Sequence, residues 1–110
     1  MADSPSTCKE AFDAMPGLFK KDASKGLTAI YQFDLAGEGG GKWYVTIANE
    51  TCTVTEGSHA SPNITISMQA HDYLAMVTGK ANGQMLFMTG KLKVQGDMGL
   101  ALRMQTLFAS

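Results

Sequence analysis

The sequence predicts an α+β fold: a five-stranded, mostly antiparallel sheet with helices covering one face. Three observations carry that prediction. From Thr28 to Met68 apolar and polar residues alternate with period two, the signature of strands with one dry and one wet face. After Ser67 the period lengthens to that of helices, interrupted by a single return strand. Glycines at positions 26, 79, 90 and 96 punctuate the junctions.

Taken in order, Thr7-Cys8-Lys9-Glu10 fits a capping box, a Thr acceptor with Glu three residues on. The short helix it starts should bury Ala11, Phe12 and Met15, and Pro16-Gly17 should end it. Leu18 and Phe19 lead into a lysine-rich turn or second short helix closed by Gly26. Ala29, Tyr31, Phe33 and Leu35 alternate with Thr28, Ile30, Gln32 and Asp34. Trp43, Val45 and Ile47 alternate with Tyr44, Thr46 and Ala48, and Gly37-Glu38-Gly39-Gly40-Gly41 between the two runs is a hairpin loop. A third strand, Cys52 to Thr55, follows a turn at Asn49-Glu50. Ile64, Ile66 and Met68 alternate with Asn63, Thr65 and Ser67 to give a fourth. The dry face is expected under helices and the wet face in solvent.

Ala70 to Thr78 then reads as a helix with Tyr73, Leu74 and Val77 inward and Gly79 as its stop. Asn82 caps a shorter helix, Gly83 to Thr89, ended by Gly90. Leu92 and Val94 alternate with Lys91, Lys93 and Gln95 in the fifth strand. Gly96-Asp97 starts a last helix that runs to the C-terminus.

Composition bounds what such a fold can do. A chain of 110 residues is one ordinary domain, expected to span 1–110, and burial of roughly 65% of its unfolded surface needs no staples. An apolar share of 45% and a charged share of 17% describe a globular protein. Nine basic residues against ten acidic ones, with Lys20-Lys21 the one adjacent basic pair, argue against nucleic acid and against a polybasic membrane patch. Cys8 and Cys52 read as two free thiols, without metal-ligand spacing. Residues 1–20 hold no apolar run of signal-peptide length and no stretch approaches a membrane span, so the expected location is the cytoplasm. The sequons at Asn49 and Asn63 then read as chance, and Phe108-Ala109-Ser110 is not a peroxisomal address.

No constellation supports an enzyme, a metal or a cofactor. In Gly37 to Lys42 a phosphate loop would need Gly at 36 and Ser or Thr at 43, where Ala36 and Trp43 stand. His59 lies in a polar turn and reads as solvated. His71 adjoins Asp72, but no nucleophile or third ligand accompanies the pair. Asp34, Glu56 and Asp97 stand next to turns, where capping or solvation explains them. Trp43 on the dry face reads as core.

The apolar surplus lies late in the chain. Six of the eight methionines fall at or after Met68, and Met fills irregular spaces and accepts varied apolar partners. Leu100, Ala101, Met104, Leu107 and Phe108 form one helical stripe, with Met98 and Leu102 beside it. Met85-Leu86-Phe87-Met88 is apolar on every side. Such helices face a core, a subunit interface or a ligand cavity, and periodicity leaves all three open.

The chain resembles the sterol carrier protein 2 family of small lipid-binding domains, over about Ala11 to Phe108. The resemblance rests on Tyr31-Gln32-Phe33-Asp34-Leu35, Gly39-Gly40-Gly41-Lys42-Trp43-Tyr44-Val45 and Ile64-Thr65-Ile66-Ser67-Met68. It continues through Asp72 to Lys80 and through Phe87-Met88-Thr89-Gly90-Lys91-Leu92-Lys93-Val94-Gln95-Gly96-Asp97, in the family's order and spacing. The resemblance implies an apolar tunnel between sheet and helices, walled by Met85, Leu86, Phe87, Met88, Leu100, Met104, Leu107 and Phe108, with Met68 and Met76 beside them. It implies a lipid or sterol-like ligand; transient membrane contact and a monomer or homodimer are expected beside it. The competing expectation is an interaction domain whose apolar helices dock on a partner subunit or enzyme.

Overall fold

The structure, a computed structural model, describes residues 7–107, and of residues 18 and 104–106 the backbone alone. The chain runs α1 (Cys8–Leu18), a 3-10 turn (Lys21–Ser24), β1 (Ala29–Ala36), β2 (Gly41–Ala48), β3 (Thr51–Glu56) and β4 (Ile64–Gln69). It continues through α2 (Ala70–Val77), α3 (Gly83–Met88), β5 (Leu92–Gly96) and α4 (Met98–Leu107). The sheet order is β3-β2-β1-β4-β5. Only β1 and β4 are parallel; the other neighbours pair antiparallel.

Local chemistry accounts for most boundaries. Thr7 Oγ1 accepts from the Glu10 N–H at 3.1 Å, starting α1 as the capping box predicts. Pro16-Gly17 does not end it. The helix runs through Pro16 to Leu18, where the Phe19 N–H donates to the Pro16 carbonyl at 3.4 Å and closes the last turn. Asn49 and Glu50 both take positive φ, 51° and 60°, the primed turn whose twist matches the flanking strands. The Asn63 side chain accepts from the Ile30 N–H at 2.8 Å and its backbone N–H donates to the Ile30 carbonyl. This asparagine therefore pins β4 beside β1. Gly96 pairs with Ile64, and a Cβ there would lie 2.4 Å from the Asn63 carbonyl oxygen, so this corner admits only glycine.

The inner face is the predicted one: Ala29, Tyr31, Phe33, Leu35, Trp43, Val45, Ile47, Ile64, Ile66 and Met68 are buried. Phe12 lies between Trp43 (4.7 Å, 16°) and Tyr73 (5.0 Å, 4°), with Phe33 edge-on at 5.2 Å. Trp43 is core. Val77, expected inward, is 40% exposed. α2 is turned so that Met76 points inward instead, its sulfur filling the place against Gly83 of α3 where a Cβ would stand.

The outer face is not uniformly wet. To pass from β3 to β4 the chain crosses it, and Gln32 is buried beneath that crossing. Gln32 Nε2 donates to the carbonyls of Gly57 and Trp43 and to Asp34 Oδ1, while its Oε1 accepts from the His59 N–H at 2.8 Å. His59, expected in solvent, is half-buried with its ring 5.1 Å from Tyr44. The loop needs a polar partner on the sheet, and Gln32 supplies it.

Candidate functional site: the apolar layer over β4 and β5

α3 is held by its ends rather than by its faces. Asn82 Oδ1 accepts from the N–H groups of Gln84 (2.8 Å) and Met85 (3.4 Å). Gly90, at φ 79°, closes the other end. Of the apolar run between them only Leu86 is buried; Met85, Phe87 and Met88 are 58%, 46% and 73% exposed. Beneath, Leu92 and Val94 of β5 face inward but are only half-buried.

α4 is fastened more firmly. Asp97 Oδ1 caps it through the Gly99 N–H at 2.9 Å. The Tyr31 hydroxyl donates to the Leu100 carbonyl at 2.8 Å, directly through the core. Arg103 Nη2 donates to the Ala23 carbonyl at 3.0 Å, and the Lys20 N–H donates to that of Leu107 at 2.6 Å. Burial pushes the Tyr31 phenol up to about 12, with Arg103 pulling slightly against it and Asp97 adding to it, so the hydroxyl remains a neutral donor. Leu100 and Leu107 are buried against the sheet, whereas Met98 and Leu102 stand outward, Leu102 at 72% exposure.

The residues named as tunnel walls therefore divide. Met68, Leu86, Leu100 and Leu107 come together in one buried layer, with Met76 packed against it. Met85, Phe87 and Met88 stand on the outer side of the same layer. Met104 is on α4 with its side chain outside the description, and Phe108 lies outside the described residues. Sequence reasoning missed Tyr31 as the tie to α4, and Leu92 and Val94 as the layer's half-open floor. The strand alternation held the signal for the floor; nothing in the sequence pairs Tyr31 with Leu100.

Reactive groups are few. Cys8 Sγ donates to the Ala70 carbonyl at 3.4 Å, and both cysteines are free thiols. Burial pushes the Cys52 thiol up to about 11 and raises that of Cys8, which makes both poor nucleophiles near neutrality. His71 Nε2 lies 3.3 Å from Asp72 Oδ1 with the imidazole largely in solvent. Among the described residues no group of three His, Cys, Asp or Glu could hold a metal ion. No described helix is long and apolar enough to cross a membrane.

The SCP-2 sterol transfer family profile matches residues 12–109. The hydroxysteroid dehydrogenase-like protein 2 of Xenopus tropicalis is 39% identical over 103 residues, 93% of this chain and 25% of that protein. The chain thus spans about a quarter of the length of the curated relatives it matches. The sterol carrier protein 2 of Yarrowia lipolytica superposes with a TM-score of 0.68 at 30% identity, covering 94% of this chain and 97% of that one. A sec-alkylsulfatase from a Pseudomonas species superposes at 0.79 with 17% identity, over 94% of this chain and 17% of the enzyme, a likeness of fold alone.

Proposed function

Because the chain belongs to the SCP-2 sterol transfer family, we propose that it holds a sterol-like, fatty acyl or phospholipid ligand between the inner sheet face and helices α3 and α4. The observation that carries the reading is the contrast inside one layer. Leu92 and Val94 are half-buried under helices whose Met85, Phe87, Met88 and Leu102 are exposed, while the inner faces of β1, β2 and β4 are packed dry and the other edge, at Cys52 and Val54 of β3, is half-buried without an exposed apolar helix beside it. An apolar chain entering there completes the burial. Each methylene contributes roughly 0.8 kcal/mol, so about ten give roughly 8 kcal/mol gross. Lost motion removes several of those, and micromolar affinity is expected. Met68, Met76 and Met85 would accommodate several ligand shapes, so selectivity is low.

α3 is the element that opens in this reading. It is six residues long and anchors one buried side chain, Leu86, whereas α4 is tied at Asp97, Leu100, Arg103 and Leu107. A second reading, a domain that docks on a larger enzyme, is favoured by the size of the relatives, of which this chain spans about 25%.

Native mass spectrometry of the purified protein, followed by denaturing extraction, tests the first reading. Co-purified lipid near one per chain supports it and identifies the ligand class. An empty protein that also ignores added fluorescent fatty acid sinks it in favour of docking. Val94→Glu separates the two further: under the first reading a charge on the half-buried floor abolishes lipid uptake and leaves the oligomeric state unchanged.

A further inference from the structure

The two edges of the sheet are built differently. At the β5 edge stand Lys91 and Lys93, and the strand ends at Gly96 with φ 110°. Lysines on an edge strand guard it against pairing with another strand. β3, the opposite edge, has no such guard. It contains no lysine, proline or glycine, and Thr51, Thr53, Val54 and Thr55 are β-branched residues suited to a strand. Its register with β2 is unbroken from Ala48–Thr51 to Trp43–Glu56, so no bulge twists the edge away.

The backbone groups left open on that edge belong to Cys52 and Val54. The Gly57 N–H donates to the Lys42 carbonyl at 2.7 Å. Bonded and non-bonded pairs alternate along an antiparallel ladder, so Thr51, Thr53 and Thr55 turn their backbone groups to β2 and Cys52 and Val54 turn theirs outward. Among the described residues no strand lies on that side. The side chains of Cys52 and Val54 are only half-buried on the inner face, and Thr53 is exposed on the outer one.

We infer that β3 pairs antiparallel with β3 of a second copy of this chain, about a two-fold axis at Thr53, joining the two sheets edge to edge. The strand is complementary to itself in this register. Thr53 meets Thr53, Thr51 meets Thr55, and Cys52 meets Val54 twice, so each copy covers the other's half-buried pair. Cys52 and Val54 exchange N–H and carbonyl bonds across the axis. A register shifted by two residues sets Cys52 against Glu56, and a slip of one sets inner side chains against outer. Each copy has one such edge, so the assembly closes at two. Glu50 falls opposite Glu56 at both ends, and one strand pair buries less than a standard interface, so the dimer is weak and tightens with salt. The pairing leaves the layer over β5, at the far edge, open; the inference therefore stands apart from the proposed ligand.

Sedimentation velocity from micromolar to millimolar protein tests it. The wild type should pass from monomer to dimer, at lower concentration when sodium chloride is added. Thr53→Lys sets two like charges face to face and should raise the dissociation constant about tenfold or more, with the melting temperature of the dilute protein unchanged. Oxidised Val54→Cys should form a dimer linked to Cys52 of the second copy, lost in Val54→Cys/Cys52→Ser. A wild type that stays monomeric at every concentration overturns the inference. A dimer that Thr53→Lys leaves intact and Leu102→Glu dissociates belongs to the helical face and also overturns it. A link that survives Cys52→Ser, or a dimer weakened by salt, overturns the register.

Discussion

Over β1 and β2 the inner sheet face is sealed by aromatic rings: Phe12 stacked between Trp43 and Tyr73, with Phe33 against its edge. Over β5 the cover is methionine and leucine, and it is incomplete. Leu92 and Val94 stay half-buried while α3 turns three large apolar side chains outward. One sheet thus carries a rigid half and an adaptable half. Stacked rings have few rotamers and fixed geometry, so that half can hold the sheet in shape. Thioether chains repack at little cost, so the other half can admit a guest without disturbing the scaffold. Tyr31 joins the two, its ring in the sealed half and its hydroxyl on the Leu100 carbonyl of α4.

The comparison is most exposed to breaking at Phe12. Phe12→Ala removes the ring that three aromatics pack around and should cost about 3–5 kcal/mol, read as a lower urea midpoint. A loss under about 1 kcal/mol would mean that the aromatic half is not the stable one.

Alkaline pH should act next, on Tyr73 in the sealed half, on Cys52 at the β3 edge and on Tyr31, the tie to α4. Burial raises the Tyr73 phenol, with Cys8 adding to it, and takes Tyr31 to about 12 and Cys52 from 9.0 to about 11. In each case the folded state favours the protonated, neutral form. Their contribution is therefore complete below the ordinary values and is lost as pH rises through the raised ones. The urea midpoint, followed by Trp43 fluorescence, should hold to about pH 9 and fall from there toward pH 12. α3 carries no titratable side chain, so loss of lipid uptake well before this transition would contradict the division.

The smallest effect on stability is expected in the adaptable half. Met88, the most exposed of its three, should tolerate Met88→Ser within about 0.5 kcal/mol, while fatty-acid uptake falls a few-fold. A variant that melts much earlier would place Met88 in the structural core after all.

Much of the fold is legible in the sequence. Period two identified four strands and their inner faces, because an apolar residue on the wrong side of a pleat is exposed at once, and the turn at Asn49-Glu50 marked the third strand without fixing its face. The capping residues Thr7 and Asn82 and the stops at Gly79 and Gly90 were legible for the same local reason, since each satisfies a helix end from within its own turn. Pro16 misled because a breaker's effect depends on how much helix remains beyond it. Val77 misled because an eight-residue helix has too few turns for its periodicity to fix rotation about its own axis. Gln32 and Asn63 read as ordinary polar strand residues, and their partners lie 27 and 33 positions away.

The candidate site was legible in kind and not in arrangement. The sequence by itself determined that the late helices carry more apolar surface than a sheet cover needs, because that follows from counting side chains around a helix. It could not determine which of those side chains would be buried. Leu86 faces the sheet and Met85, Phe87 and Met88 do not, an outcome set by where Asn82 and Gly90 clamp the ends of α3. Nor could it place β4 between β1 and β5, since strand order is a matter of long-range pairing that no local pattern records.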